Sequence, residues 1–195
     1  MTPSRDELRQ QLRTARRQLS HDQQKHAAIA LASHLPDHSL LQHASQVALY
    51  MAADGEIDPH ILAEVLFARG KQIALPVMHP FNDHQLLFQR YEPGQPLLPN
   101  RYGIPEPQLA KPELIPLQEL DVVLMPLVGF DDNGNRLGMG GGFYDRTLGG
   151  VEADLRPTLI GLAHSCQRVE KLYAAHWDVP LNGIATEQGL HWVER

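Results

Sequence analysis

Six segments of the chain read as β-strands, and most are apolar at successive positions rather than at alternating ones. Strands with two apolar faces must be covered on both sides. Segments of helical periodicity separate several of them, which is typical of parallel strands joined by crossover helices. We therefore predict an α/β fold, in which a largely parallel twisted sheet is flanked by helices in a three-layer, Rossmann-like arrangement. The predicted strands are QVALYM (46–51), QIALPV (72–77), LLFQRY (86–91), DVVLMP (121–126), TLIGLA (158–163) and GIATE (183–187).

Two helix starts are marked by capping boxes, in which a serine precedes Glu or Gln by three residues. Ser4 precedes Glu7, and Ser20 precedes Gln23. The first box opens an arginine-rich helix, and the second opens an alanine-rich helix that we expect to end near Leu35, before a proline. Further helices are predicted over residues 59–69 and 143–148.

A proline-rich stretch over residues 92–120 shows little periodicity, and we predict a long irregular connector there. Long loops in compact domains are often functional. Neither an internal repeat nor a linker divides the chain, so we predict a single domain over residues 1–195.

Composition excludes several classes of protein. No apolar run approaches the roughly 18 residues of a membrane span, and the polar N-terminus lacks the apolar segment of a signal peptide. The single cysteine, Cys166, cannot form an internal disulfide, which fits a reducing cytoplasm, and we expect it to be a small buried residue rather than a nucleophile. The net charge of −6 argues against nucleic acid and anionic membranes as partners. An anion would have to be bound by a local cluster of charge.

Such a cluster occurs on the first predicted helix, where residues three and four apart share a face. One interpretation is a solvated basic face. The other is an arginine face directed at phosphates, since the planar guanidinium suits bidentate contacts. The arginines are Arg5, Arg9, Arg13, Arg16 and Arg17.

The segment GFDDNGNRLGMGGGFYDR (129–146) carries the richest chemistry. It follows a buried strand and precedes a helix, where ligands bind in open α/β sheets. Its glycines permit close backbone approach, and backbone N–H groups at a helix start suit an anion. Arg136 supplies charge for phosphate, Tyr144 a hydrogen bond or a stacking surface, and Asp145 a hard oxygen donor for Mg²⁺. The pattern is neither a Walker A motif nor GxGxxG, so the residues alone leave an anion or nucleotide site and a plain glycine-rich turn equally open.

Other polar and aromatic residues have structural interpretations. The turn over residues 53–58 is explained as a helix cap, and Asp131 and Asp132 as residues that shape a loop turn. We expect His176 to lie at the surface, and Trp177 and Trp192 to pack in the core.

The segment NRLGMGGGFYDRTL resembles the signature of the 5-formyltetrahydrofolate cyclo-ligase family, also called methenyltetrahydrofolate synthetases. The resemblance covers nearly the whole chain, because further blocks occur in the family's order. These blocks are Arg5 and Arg9 on the first helix, Met51 followed by DGEID (54–58), LPV (75–77), GIPEP (103–107), DVVLMPLVGFD (121–131) and HWDVPLNGIATE (176–187).

The resemblance implies an α/β enzyme that closes 5-formyltetrahydrofolate to 5,10-methenyltetrahydrofolate. It implies ATP as co-substrate, Mg²⁺ as cofactor, and release of ADP and phosphate. We also expect a cytoplasmic monomer. Arg136 and Asp145 would be catalytic, and Asp145 and Asp178 would hold the metal. Folate would contact Met51, Glu56 and the loop residues Met139, Gly140, Gly141, Gly142 and Phe143. ATP would contact Arg5, Arg9, Arg136, Leu137, Gly138, Met139, Gly140, Gly141, Gly142, Phe143 and Tyr144.

The chain departs from the family pattern at a few positions. Many relatives carry a basic residue where this chain has Met139, often another nearby at Gly141 or Gly142, and often aspartate where it has Asn182. The resemblance then leaves phosphate neutralisation to the arginines and the metal. Two other functions stay open: a sugar-phosphate isomerase or CoA-transferase-like enzyme, and a non-catalytic folate or nucleotide binder.

Overall fold

The structure, a computed structural model, describes residues 3–194. Both capping boxes are confirmed: Ser4 accepts from the Glu7 N–H while the Glu7 carboxylate accepts from the Ser4 N–H, and Ser20 and Gln23 repeat the arrangement. None of the helices in this part of the chain is long and apolar enough to cross a membrane. The helices are α1 (Arg5–Arg17), α2 (His21–His34), α3 (Ser39–His43), α4 (His60–Ala68) and α5 (Phe143–Gly149).

Eight strands form one mixed sheet, and four more form two small ribbons. The strands are β1 (Gln46–Ala48), β2 (Gln72–Met78), β3 (Leu86–Tyr91), β4 (Leu97–Pro99), β5 (Pro105–Pro107), β6 (Leu114–Ile115), β7 (Val122–Pro126), β8 (Gly129–Phe130), β9 (Arg136–Leu137), β10 (Thr158–Leu162), β11 (Gly183–Thr186) and β12 (Gly189–Trp192). The order in the large sheet is β12-β11-β10-β7-β1-β2-β3-β6. Pairing is parallel from β11 to β2 and antiparallel at both edges.

Both faces of this sheet are buried, as the apolar strands predicted. Along β7, Val122 and Leu124 pack into one apolar cluster together with residues of α2 and α4. Val123 and Met125 point the other way, into a second cluster that includes Leu148 of α5. The α/β fold and the largely parallel sheet are therefore confirmed.

The connector over residues 92–120 contains more regular structure than we predicted. It holds the β4–β5 ribbon and β6, which joins the large sheet beside β3. Prolines occur in both strands of the ribbon, with Pro99 opposite Pro105. Both strands of a two-stranded ribbon are edge strands, where proline is tolerated because its missing N–H leaves no sheet hydrogen bond unmade. Periodicity alone did not reveal this ribbon. The strands β8, β9 and β12 were also not predicted, and the first strand is shorter than the predicted 46–51.

Candidate active site

A pocket of about 700 Å³ lies beside the carboxyl ends of two neighbouring parallel strands. Tyr50 and Met51 follow β1, while Pro126 and Leu127 lie at the end of β7, and all four line this pocket. Ligands bind at this edge in open α/β sheets. The sheet therefore positions the pocket where the sequence predicted it.

The glycine-rich loop forms one wall of the pocket, with residues 138–142 between β9 and α5. Gly140 and Gly142 have φ values of +100° and +68°, in the left-handed region that glycine adopts without strain. The carbonyl of Gly138 accepts from Arg9 Nε at 2.9 Å, so α1 is tied to this loop. Met139 is half exposed in the same wall.

A buried arginine and an aspartate flank the loop on either side in sequence. Arg136 is almost fully buried, and its Nη2 donates to Asp145 Oδ1 at 2.5 Å. The same oxygen accepts from the Val179 N–H at 3.0 Å. Arg136 Nε has no hydrogen-bond partner among the described residues. A buried donor without a partner costs free energy, and Arg136 is also one of the residues that line the pocket.

A second arginine–aspartate pair connects the first helix to the C-terminal part of the chain. Arg5 Nη1 donates to Asp178 Oδ2 at 2.8 Å, and that oxygen also accepts from the Ala175 N–H at 2.8 Å. Both Arg5 and Asp178 line the pocket, as does Arg9. Arg5 and Arg9 are therefore directed at the pocket, which favours the phosphate-directed interpretation for these two residues, whereas Arg17 at the end of the helix is exposed.

The turn after β1 carries two carboxylates, Asp54 and Glu56, and both line the pocket. Glu56 Oε2 accepts from the Ala53 N–H at 3.0 Å. Burial raises the pKa of Glu56, while the hydrogen bond from Ala53 and the charge of Arg16 oppose this rise. A mostly buried carboxylate in a ligand pocket is suited to accept N–H donors from a bound heterocycle.

The wall contributed by the β4–β5 ribbon was missed by sequence reasoning. Asn100, Tyr102 and Glu106 line the pocket, and the Tyr102 ring meets the Phe143 ring edge-on with centroids 5.9 Å apart. Glu106 Oε2 accepts from Asn100 Nδ2 at 3.1 Å. The available signals were the length of the connector and its GIPEP block, neither of which singles out a side chain.

Nearly all the predicted site residues come together in this pocket. Leu137 is the exception, because its side chain packs in an apolar cluster with Leu12, Val128 and Leu172 under α1. The lining residues that were predicted are Arg5, Arg9, Met51, Glu56, Arg136, Gly138, Met139, Gly140, Gly141, Gly142, Phe143, Tyr144, Asp145 and Asp178.

The donor set fits a magnesium ion that is held jointly by protein and substrate. Within residues 3–194, no three His, Cys, Asp or Glu side chains are grouped as metal ligands. Asp145 and Asp178 nevertheless line one pocket, and Mg²⁺ usually takes one or two carboxylates plus phosphate oxygens and water. Asn182 does not line the pocket. Its Oδ1 accepts from the Leu159 N–H at 2.8 Å, near the start of β10.

Three side chains expected in the core are exposed instead. Trp177 is exposed and lines the pocket, with its ring 4.5 Å from the His176 ring, and Trp192 is partly exposed beside His38. Cys166 is exposed too, in a short 3-10 turn. Residue type favoured burial in each case, but Trp177 and Cys166 lie on surface turns and Trp192 ends the edge strand β12.

The interpretations of His176 and Asp131 are confirmed. His176 is exposed. Asp131 is fully buried and accepts from the N–H groups of Asn133 and Asn135 at 3.1 and 3.0 Å, so it shapes the turn between β8 and β9. Asp132 is paired with Arg168 at the surface.

The fold and the pocket define an α/β protein with a ligand site at the carboxyl edge of its sheet, and comparison with known proteins identifies the family. A sequence profile of the 5-formyltetrahydrofolate cyclo-ligase family matches residues 1–187. The 5-formyltetrahydrofolate cyclo-ligase of Haemophilus influenzae is 45% identical over 184 residues, which cover 94% of this chain and 97% of that protein. That of Escherichia coli K12 is 43% identical, covering 90% and 96%.

A solved structure agrees with these relatives. The 5,10-methenyltetrahydrofolate synthetase of Aquifex aeolicus superposes with a TM-score of 0.80 at 28% identity, covering 98% of this chain and 93% of that one. The chain belongs to the 5-formyltetrahydrofolate cyclo-ligase family. It is an enzyme of that family, and the isomerase-like alternative is set aside.

Proposed function

We propose that this enzyme closes 5-formyltetrahydrofolate to 5,10-methenyltetrahydrofolate with ATP and Mg²⁺, and releases ADP and phosphate. One observation carries the proposal. A single pocket holds both an arginine–aspartate set suited to nucleotide phosphates and a buried carboxylate, Glu56, suited to the N–H donors of a pterin.

ATP would bind along α1 and the glycine-rich loop. Arg5, Arg9 and Arg136 line the pocket there, and the loop glycines leave the backbone open to phosphate oxygens. Phe143 and Tyr144 follow the loop and belong to the same proposed contact, whereas Leu137 packs in the apolar cluster under α1 and is left out of it. Arg136 supports the assignment best, because it lines the pocket although almost all of its surface is buried, so its charge is poorly screened by water.

Asp145 and Asp178 would hold Mg²⁺, whose charge stabilises the phosphates during transfer. Each carboxylate is now neutralised by an arginine, Arg136 and Arg5 respectively. Both arginines would be available to the phosphates once a metal ion took their place beside the carboxylates. The two pairs thus keep the carboxylates in the pocket and compensated in the absence of ligand.

Folate would occupy the part of the pocket bounded by Met51, Glu56 and the loop residues 139–143. Glu56 would accept N–H donors of the pterin, and its Ala53 hydrogen bond fixes the carboxylate. Met51 and Phe143 supply apolar contact. Phe143 is in turn supported by Tyr102 from the opposite wall.

The reaction needs no side-chain nucleophile. The formyl oxygen attacks the γ-phosphorus of ATP, and ADP leaves. N5 and the formyl carbon then form an iminium group whose carbon carries the phosphorylated oxygen. N10 then attacks the formyl carbon, the C–O bond breaks, phosphate departs with that oxygen, and N10 loses its proton. The protein's task is to position the reactants and stabilise charge. Arg136 would contact the transferred phosphoryl group directly, and Asp145 would act on it by holding the metal ion.

We further propose that residues 1–195 form one domain, because the pocket takes walls from Arg5 through to Asp178. Cytoplasmic location fits the lone cysteine. The net charge of −6 argues against nucleic acid or membrane partners. We propose a monomer, since Arg5, Glu56 and Asp178, from distant parts of this chain, meet in one pocket.

The proposal is tested by incubating purified protein with 5-formyltetrahydrofolate and following the near-ultraviolet absorbance of the methenyl product. We expect product with ATP and Mg²⁺ together, and none when either is left out. Folate binding without product would instead favour the non-catalytic binder, in which Met139 in place of a basic residue marks lost activity.

A further inference from the structure

One buried arginine of α1 has no part in the function proposed so far. Arg16 is fully buried and lies under the turn that carries Glu56. Its Nε donates to the Asp54 carbonyl at 2.8 Å, its Nη2 to Asp54 Oδ2 at 2.7 Å, and its Nη1 to the Leu127 carbonyl at 3.1 Å. A guanidinium buried to this degree is expensive unless all its donors are used.

These contacts hold the turn in an unfavourable backbone conformation. Asp54 has a φ of +55°, and it is the one non-glycine among residues 3–194 with positive φ. Such a conformation persists only when the surroundings fix it. Arg16 grips both the backbone and the side chain of Asp54, and Arg13 and Arg17 contact the same carboxylate. The position of Glu56 two residues later depends on this turn.

Arg16 also reaches Glu56 electrostatically, with Nη2 3.8 Å from Glu56 Oε1. Burial raises the pKa of Glu56, and Arg16 is the charged residue that opposes the rise. The phenols of Tyr50 and Tyr144 face the same region, but burial raises both of their pKa values, so they stay neutral. His164, which lies beside Gly55, has its pKa lowered by burial and is neutral near pH 7.

We propose that Arg16 is a positioning residue for folate: through Asp54 it fixes the turn, and by its charge it keeps Glu56 ionised to accept the pterin N–H groups. The inference rests on the proposed role of Glu56. Arg16 is fully buried and does not line the pocket, so it acts through Asp54 and Glu56. Its Nη2 also lies 3.8 Å from Met139 Sδ in the glycine-rich loop. The same helix carries Arg5 and Arg9, so α1 supports both ends of the pocket.

The test measures binding of 5-formyltetrahydrofolate, without ATP, by calorimetry from about pH 5 to about pH 8.5, a range that brackets a carboxyl pKa raised by burial. Arg16→Gln should move the acidic loss of affinity to higher pH. We expect binding roughly tenfold weaker than wild type at the acidic end, recovering most of the way at the alkaline end. Arg16→Lys keeps the positive charge but not the planar guanidinium, so folate affinity should fall at all pH values. The acidic limb of the pH profile, where affinity is lost, should stay at the same pH.

Arg17→Gln is the matched control, because exposed Arg17 contacts the same Asp54 carboxylate without approaching Glu56. It should leave the pH profile unchanged. Asp54→Asn should move the limb the other way, to lower pH, because it removes a negative charge that competes for Arg16. If Arg16→Gln does not fold, the double variant Arg16→Gln/Asp54→Asn removes both partners of the buried pair. Its acidic loss of affinity should then occur at higher pH than that of Asp54→Asn, and equal pH values would overturn the inference.

Two results separate failure of the inference from failure of the proposed function. If Glu56→Gln leaves folate affinity unchanged, the assignment of Glu56 itself is wrong. If Glu56→Gln weakens binding but Arg16→Gln lowers affinity equally at all pH values, Arg16 is only a scaffold residue and the inference is overturned. In the double variant Arg16→Gln/Glu56→Gln, the acidic limb should be absent.

Discussion

Replacing Asp145 by asparagine removes a charge that the structure uses in two ways. The carboxylate neutralises Arg136, whose side chain is only 4% exposed, and it is one of two proposed metal ligands. Breaking a buried pair by removing one partner costs about 3–5 kcal/mol. Asparagine still offers an oxygen to Arg136 and to the Val179 N–H, so we expect a smaller loss of about 1–3 kcal/mol of unfolding free energy.

The catalytic effect should exceed what this loss of stability explains. An amide is a weaker ligand than a carboxylate for Mg²⁺, a hard cation. We expect kcat/KM to fall roughly a hundredfold, which corresponds to about 2.7 kcal/mol of transition-state free energy. The melting temperature should fall by roughly 2–12 °C, at about 2–4 °C per kcal/mol for a chain of this size. Thermal unfolding of the variant shows directly whether it is folded at the assay temperature.

The assay is steady-state formation of the methenyl product over a Mg²⁺ titration, with thermal unfolding measured on the same samples. Asp132→Asn is the matched control, since its exposed pair with Arg168 lies outside the pocket, and it should match wild type in both measurements. Wild-type kcat/KM for Asp145→Asn at saturating Mg²⁺ would refute the reasoning.

Three further outcomes are expected. Glu56→Gln should raise the folate KM roughly 10- to 100-fold, as expected for a charged hydrogen bond, and change the ATP KM little; equal changes in both constants contradict the assigned role. Gly134→Ala should destabilise the fold by about 1–3 kcal/mol or more, because φ is +79° and a Cβ would lie 2.7 Å from the Leu181 carbonyl oxygen; an unchanged melting temperature would show that the turn adapts. Cys166→Ser should retain full activity, because the exposed thiol lies outside the pocket, and any large loss of kcat would show that the thiol contributes.

The sequence was most informative where local patterning and tertiary structure agree. Apolar strands such as 121–126 and the Ser4 capping box leave few alternatives, so the α/β fold and the helix starts followed directly. The glycine-rich loop was located by its place between a buried strand and a helix. Its assignment to a particular chemistry came from a resemblance, because glycine itself carries no side-chain chemistry.

The remainder depended on contacts between distant parts of the chain. In the sequence, Arg16 resembles any other arginine on a basic helix face. Only the fold shows that it is buried against Asp54. The β4–β5 ribbon is concealed by prolines that usually mark irregular structure. Trp177 is a residue type that favours the core, yet it lies at the pocket because its turn is held by the Arg5–Asp178 pair.

The central claim is that the formyl oxygen is phosphorylated before ring closure, and an isotope label tests it directly. 5-Formyltetrahydrofolate carrying ¹⁸O in the formyl group is incubated with the enzyme, ATP and Mg²⁺, and the released phosphate is analysed by mass spectrometry. We predict one ¹⁸O atom in each phosphate released per methenyl product. Unlabelled phosphate, with the label lost to water, would contradict the account.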